Sequence, residues 1–238
     1  GGLNYVLWSC IGLGLAGLIL TILISERKQI VGNKIEPKEY IKLMRNRSVM
    51  VASGLVLILA LMNGGIFSFL PILVKAQFKM NIGLIFMIIS ISLIIFRLFT
   101  SHLSDRYGRG PCAFYSFLIL CLSYYLIGQS QTEWELIGAA ILNGIGVGGC
   151  LPALTAFVVD KTEPRFRGIA FGLFYGAFDV GMLLGGAALG VLADITSLRD
   201  MYIITAVFGV ISLGVFAVSI QPGPLKSLKW TLVGKHLL

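Results

Sequence analysis

The stretch SHLSDRYGR, Ser101–Arg109, decides how this chain is read. It reads as a short polar loop between two apolar spans, and so short a loop joins antiparallel helices. Within five residues it gathers an acid, two arginines and a turn glycine: Asp105, Arg106, Gly108 and Arg109. A passive membrane anchor has no use for that cluster at its surface.

The rest of the chain explains why the stretch stands out. Of 238 residues, 57% are hydrophobic and only 13% charged; mean hydropathy is +0.90. The apolar residues come in runs of the length that crosses a bilayer as helix, which excludes an ordinary soluble domain. Seven spans are predicted, at 3–24, 49–74, 82–100, 112–128, 135–158, 168–193 and 201–220. Pro71 and Pro152 fall inside two of them, where each removes a helix hydrogen bond and predicts a bend.

The net charge of +8 is informative through its location. With loops assigned to alternate sides, one side carries sixteen of the nineteen Lys and Arg: seven in 25–48, three in 97–111, three in 159–167 and three in the tail. The other side keeps only Lys75, Lys79 and Arg199. Such a bias predicts that the basic side is cytoplasmic, and it supports the span count. Nucleic acid is not an expected partner; the bilayer is. Trp8, Trp134 and Trp230 fall at span boundaries, where tryptophan anchors helices.

Cys10, Cys112, Cys121 and Cys150 lie in or beside apolar spans without CxxC spacing, and read as small packing residues. Many glycines fall inside spans, among them Gly144, Gly146, Gly148 and Gly149, then Gly172, Gly176, Gly181, Gly185, Gly186 and Gly190. Small residues let helix backbones approach closely; packed smooth faces can also slide. The chain begins Gly1-Gly2 directly before a span, with no signal-peptide pattern, and is expected to be a truncated piece.

The loop resembles the G-x-L-[SA]-D-R-x-G-R signature of the major facilitator superfamily of secondary transporters. Leu103, Ser104, Asp105, Arg106, Gly108 and Arg109 match; Ser101 replaces the leading glycine, and Gly110 the trailing basic residue. Arg97 is similar to an arginine often found at that helix end. Asp160–Gly168 resembles the family's acid-to-Arg-Gly loop between its tenth and eleventh helices. Phe178-Asp179-Val180-Gly181 is similar to the eleventh helix of bacterial efflux members, and Asn63–Pro71 to their seventh. The resemblance implies an all-α integral membrane fold of seven transmembrane helices, half of a twelve-helix parent. In that reading 1–24 is the sixth helix, 25–48 the basic cytoplasmic central loop, 49–220 the second six-helix bundle and 221–238 a cytoplasmic tail. The absent first half is then a partner of the chain.

Three groups of candidate site residues follow. The resemblance makes neighbours of the 101–109 loop, with Asp105, Arg106 and Arg109, and the 160–167 loop, with Asp160, Glu163, Arg165 and Arg167. Ion pairs between them, worth about 0–1 kcal/mol each at an exposed rim, suit a gate latch biasing two nearly equal conformations. They also serve as topology-determining charges. Asp179 is the acid deepest within a span, at a cost of roughly 2.5–3.5 kcal/mol on insertion scales. Tyr175, one turn earlier, is placed to donate a hydrogen bond to it. Asp179 reads either as a proton-coupling carboxylate or as a brace between helices. Asn63 and Asn143 lie near mid-membrane on helices matching the family's seventh and tenth, which line its cavity, and Phe67 offers an apolar wall. Interhelical hydrogen bonding is their other reading.

No enzymatic constellation is present. His102 and His236 form no HExxH-like pair, so no metal site is expected, and no GxxxxGK[ST] loop points to ATP. No cofactor is implied. The resemblance implies alternating-access transport of a small molecule, as efflux or uptake in the cell membrane, coupled to an ion gradient with H+ as the expected ion. A seven-helix receptor and a dimerising half-transporter are the alternatives; the sidedness of the two loops and the long loop after one helix oppose the receptor.

Overall fold

A computed structural model of the chain describes residues 2–23, 46–219 and 231. The expected central loop before Asn46 and nearly all of the tail, with Trp230 and His236, lie outside the described residues.

Seven helices form where the apolar runs predicted them: α1 Gly2–Leu23, α2 Arg47–Gln77, α3 Ile82–Tyr107, α4 Arg109–Gln129, α5 Glu133–Asp160, α6 Arg167–Ile195 and α7 Leu198–Ser219. A short 3-10 turn, Pro164–Phe166, precedes α6. Among the described residues there is no strand. Helices α2 to α7, with the 3-10 turn extending α6, are each long and apolar enough to cross a membrane; α1 carries a shorter apolar stretch, Leu7–Ile22. Pro71 and Pro152 sit within unbroken helix, in α2 and α5.

The starts are set by local chemistry. The side chains of Asn46 and Asn81 accept from the amides of Ser48 and Gly83 at 3.1 and 2.8 Å. Thr132 and Glu135 form a capping box at the head of α5. These bonds satisfy first-turn donors that have no partner inside the helix.

The chain falls into two compact units, Gly1–Glu36 and Pro37–Leu238. In the first, α1 satisfies its own hydroxyls: Ser9 donates to the Tyr5 carbonyl and Thr21 to the Gly17 carbonyl, both at 2.8 Å. In the second, α2 packs chiefly on α6 and also on α7, while α5 lies against both α3 and α4, and α4 against α7. Buried cysteines Cys121 and Cys150 are packing residues of this core, and all four cysteines are free.

Glycines make these contacts close. A β-carbon at Gly181 or Gly185 of α6 would collide with the carbonyl oxygens of Leu57 or Leu61 in α2, and one at Gly64 would lie 2.5 Å from the Met182 carbonyl. In α5, a β-carbon at Gly148 would come within 2.6 Å of the Leu93 carbonyl in α3, and one at Gly146 within 2.7 Å of Leu120 in α4. Gly144 and Gly149 meet Ile89 and Ser116 as tightly. Gly172 and Gly176 differ: nothing lies within 4 Å of a β-carbon there.

Polar ties fasten the ends of α2. Arg199 of α7 donates to the Gln77 side chain at 2.9 and 2.7 Å and to the Ser130 carbonyl at 2.9 Å. At the opposite end, Arg47 Nε donates to the Ser219 carbonyl at 2.7 Å. Two fully buried tyrosines meet α2 midway. Tyr124 donates to the Met62 carbonyl and Tyr202 to the Gly65 carbonyl, the latter at 3.5 Å.

Gly185→Ala is expected to destabilise the bundle by about 1–3 kcal/mol, because the α2 backbone must move. Gly172→Ala is expected to be neutral or stabilising by up to about 1 kcal/mol through helix propensity. Unfolding midpoints of the two variants in one detergent check this contrast.

Candidate functional site

The polar stretch Ser101–Tyr107 is not the loop its composition suggests. α3 continues through Tyr107, and α4 begins at Arg109, so the connection is Gly108 alone. At the membrane surface polar side chains face water whether or not the backbone is helical, and the helix keeps each N–H and C=O paired. Gly108 has φ 102°, the one positive φ among the described residues, a conformation that glycine adopts without a side-chain clash. Its N–H donates to the Ser104 carbonyl at 3.1 Å and ends α3.

This one-residue corner folds Arg109 back over the last turn of α3. Arg109 Nη1 donates to Asp105 Oδ1 at 2.6 Å and to the buried Ser104 hydroxyl at 3.1 Å. Its Nε reaches Asp160 Oδ2 at 3.3 Å, at the end of α5. One guanidinium therefore ties the α3–α4 corner to α5. The carboxylates remain open, Asp105 at 64% and Asp160 at 54% side-chain exposure, while Arg109 is 29% exposed. Each pair is accordingly worth about 0–1 kcal/mol. A cleft of about 450 Å³ lies here, lined by Ser104, Asp105, Gly108, Arg109, Phe157, Asp160 and Lys161.

The other charged candidates stand outside this clasp. Arg97 is exposed on α3 and Arg167 is exposed at the start of α6; neither joins the two ion pairs. Arg106 lies 5.6 Å over the Tyr107 ring, and Arg165 4.9 Å over Phe166. Ser104, a match to the signature with no role assigned from sequence, is the third partner of Arg109.

Asp179 and Tyr175 are placed differently from a buried pair. Both are exposed on α6, and no hydrogen bond joins them among the described residues. Tyr175 packs instead on Phe171 and Phe174, at ring separations of 6.1 and 5.4 Å. The cause is the face α6 turns to α2. Ala170, Phe174, Gly181, Gly185 and Leu189 are buried, which leaves Gly172, Tyr175, Gly176, Asp179 and Leu183 on the open side.

The expected cavity group is also divided. Asn63 is buried and donates to the Leu59 carbonyl at 3.0 Å, within its own helix. Asn143 is 1% exposed, and neither atom of its amide has a partner among the described residues. Both are inside the bundle and not on an open wall. Phe67 is exposed and stacks on Phe86 of α3 at 5.7 Å. Among the described residues no cluster of His, Cys, Asp or Glu could hold a metal.

A sequence profile of the Major Facilitator Superfamily matches residues 52–232. The chain is 30% identical over 160 residues to the class H tetracycline resistance protein of Pasteurella multocida, covering 64% of this chain and 39% of that one. It is 23% identical over 221 residues to an uncharacterised MFS-type transporter of Methanocaldococcus jannaschii, covering 88% and 56%. A multidrug resistance protein of Proteus mirabilis is 33% identical over 108 residues, covering 45% and 27%. The chain thus spans less than two thirds of the length of these relatives.

Gly108→Ala is expected to lower stability by about 1–3 kcal/mol, because a β-carbon is strained at φ 102°, ψ 156°. It should also loosen the Arg109–Asp160 contact. Thermal unfolding of the variant beside Gly138→Ala, a helical position with no positive φ and open space for a β-carbon, checks the assignment.

Proposed function

The chain belongs to the major facilitator superfamily, a family of multi-pass membrane transporters, and we propose that it forms the second half of a secondary transporter exporting a small organic molecule. Transport is by alternating access and driven by a proton gradient. The observation that carries this reading is Asp179 on the open face of α6. An Asp at the centre of a span costs roughly 2.5–3.5 kcal/mol in lipid. That face is therefore assigned to water or to another protein surface. The open glycines Gly172 and Gly176 beside it leave room for either. α3 and α6 support the same assignment: 11% and 17% of their apolar stretches are buried, against 44% to 61% for α2, α4, α5 and α7. A preceding six-helix half fits these two faces and the greater length of the relatives.

The direction and substrate class rest on the relatives named for tetracycline and multidrug resistance. Within this account the Arg109 clasp steadies the α3–α4 corner against α5 on the basic side, and its exposed carboxylates are free to latch an opposing element as that side closes. Interactions of up to about 1 kcal/mol shift such an equilibrium up to about fivefold without locking it.

Asp105→Asn in the full-length protein should change the export rate within about that fivefold range while leaving membrane insertion intact; unchanged kinetics contradict the latch. Asp179→Asn should abolish the pH dependence of export in proteoliposomes. Export that still follows an imposed proton gradient removes Asp179 from coupling.

A further inference from the structure

The outer surface of α2 and α7 carries a groove that the transport reading does not use. Val51, Gly54, Leu55 and Ile58 form one wall at helical spacing, and Phe208, Ile211, Val215 and Phe216 the other, enclosing about 390 Å³. Ser212 and Ser219 also line it; the Ser212 hydroxyl is satisfied by the Phe208 carbonyl at 2.9 Å, so the lining stays apolar in character. The floor is open at Gly54, where a β-carbon would meet nothing within 4 Å. From Phe208 to Ser219 the groove runs roughly 16 Å along the helix at 1.5 Å per residue. That is about half of a 30 Å hydrocarbon core, or one leaflet.

Its Ser219 end lies on the basic side, beside Arg47, which bonds that residue without lining the groove. The guanidinium is exposed and held in place by the Nε bond to the Ser219 carbonyl at 2.7 Å. Its two terminal nitrogens have no partner among the described residues, and they supply the fork that matches a phosphate. An apolar slot one leaflet deep, ending beside a fixed cation at the headgroup level, is complementary to a phospholipid, and the unbalanced charge favours one whose headgroup is anionic over a zwitterionic one.

We propose that the α2–α7 groove binds an anionic phospholipid of the basic-side leaflet, one acyl chain lying over Gly54 between Ile58 and Phe208, and the phosphate on Arg47. The lipid bridges the two helices that Arg47 already joins. This site depends on membrane insertion and not on the substrate or the coupling ion.

The test is native mass spectrometry of the full-length protein released from vesicles of equal phosphatidylcholine and phosphatidylglycerol. The wild type is expected to retain phosphatidylglycerol preferentially. Arg47→Gln should lower that preference about fivefold, the effect of one basic residue at a membrane surface, while Arg47→Lys retains most of it. Gly54→Leu fills the groove without a clash and should reduce retention of both lipids. Gly138→Leu, at another open position, should not. An unchanged lipid preference in Arg47→Gln, unchanged retention in Gly54→Leu, or equal loss in Gly138→Leu overturns the proposal.

Discussion

Hydrocarbon cannot solvate a polar group, and that constraint shapes every part of this chain. Each backbone N–H and C=O must be paired where it stands, so the chain crosses only as helix and turns only at the surfaces. Turning there is economical at Ser101–Arg109, where one residue, Gly108, ends α3 and starts α4. Because the corner is that tight, Arg109 falls within reach of Ser104, Asp105 and Asp160 together. The same constraint gives Asp179 its meaning. A carboxylate on an uncovered helix face at mid-span costs roughly 2.5–3.5 kcal/mol against lipid, which is the ground for assigning that face another neighbour.

Helix packing obeys the constraint in a different way. Lipid tails are as apolar as the side chains, so burial of Leu or Val gives little reason for helices to associate, and close backbone contact takes over. The α2–α6 and α5–α3 contacts run through glycines whose β-carbons would strike opposing carbonyls. Gly172 and Gly176 have no such neighbour, and they share the open side of α6 with Tyr175 and Asp179. Glycine content alone does not separate the two groups. The first closes the bundle, and the second leaves a smooth surface beside a charge. Tyr124 and Tyr202 add a rigid element, donating to α2 carbonyls on either side of Gly64.

Much of the fold was legible in the sequence because hydrophobic run length is a strong signal in a membrane. The seven predicted spans fall within the seven helices, save that residues 24 and 220, the last of the first and last spans, lie outside the described residues. The helical state of Ser101–Tyr107 was not legible, since a polar surface segment has similar composition as loop or as final helix turn. The pairing of α2 with α6 was not legible either, because seven apolar stretches carry little information about which face meets which. For that reason the sequence leaves Asn63 and Asn143 open between a cavity wall and a bond between helices, and both lie inside the bundle, while Tyr175, one turn from Asp179, makes no bond to it. That the 101–109 and 160–167 loops are neighbours is implied by the family resemblance; which of their charges meet, Arg109 with Asp105 and Asp160, is seen only in the structure.

The central claim is that the Asp179 face of α6 borders water or protein and not lipid. Its most direct measurement is the reaction of a membrane-impermeant thiol reagent with Gly176→Cys in a cysteine-free full-length protein, compared with Val210→Cys on the apolar outer side of α7. The account predicts that Gly176→Cys reacts measurably faster than Val210→Cys and that a transported substrate changes its rate. Equal inertness of the two positions, with or without substrate, would contradict it.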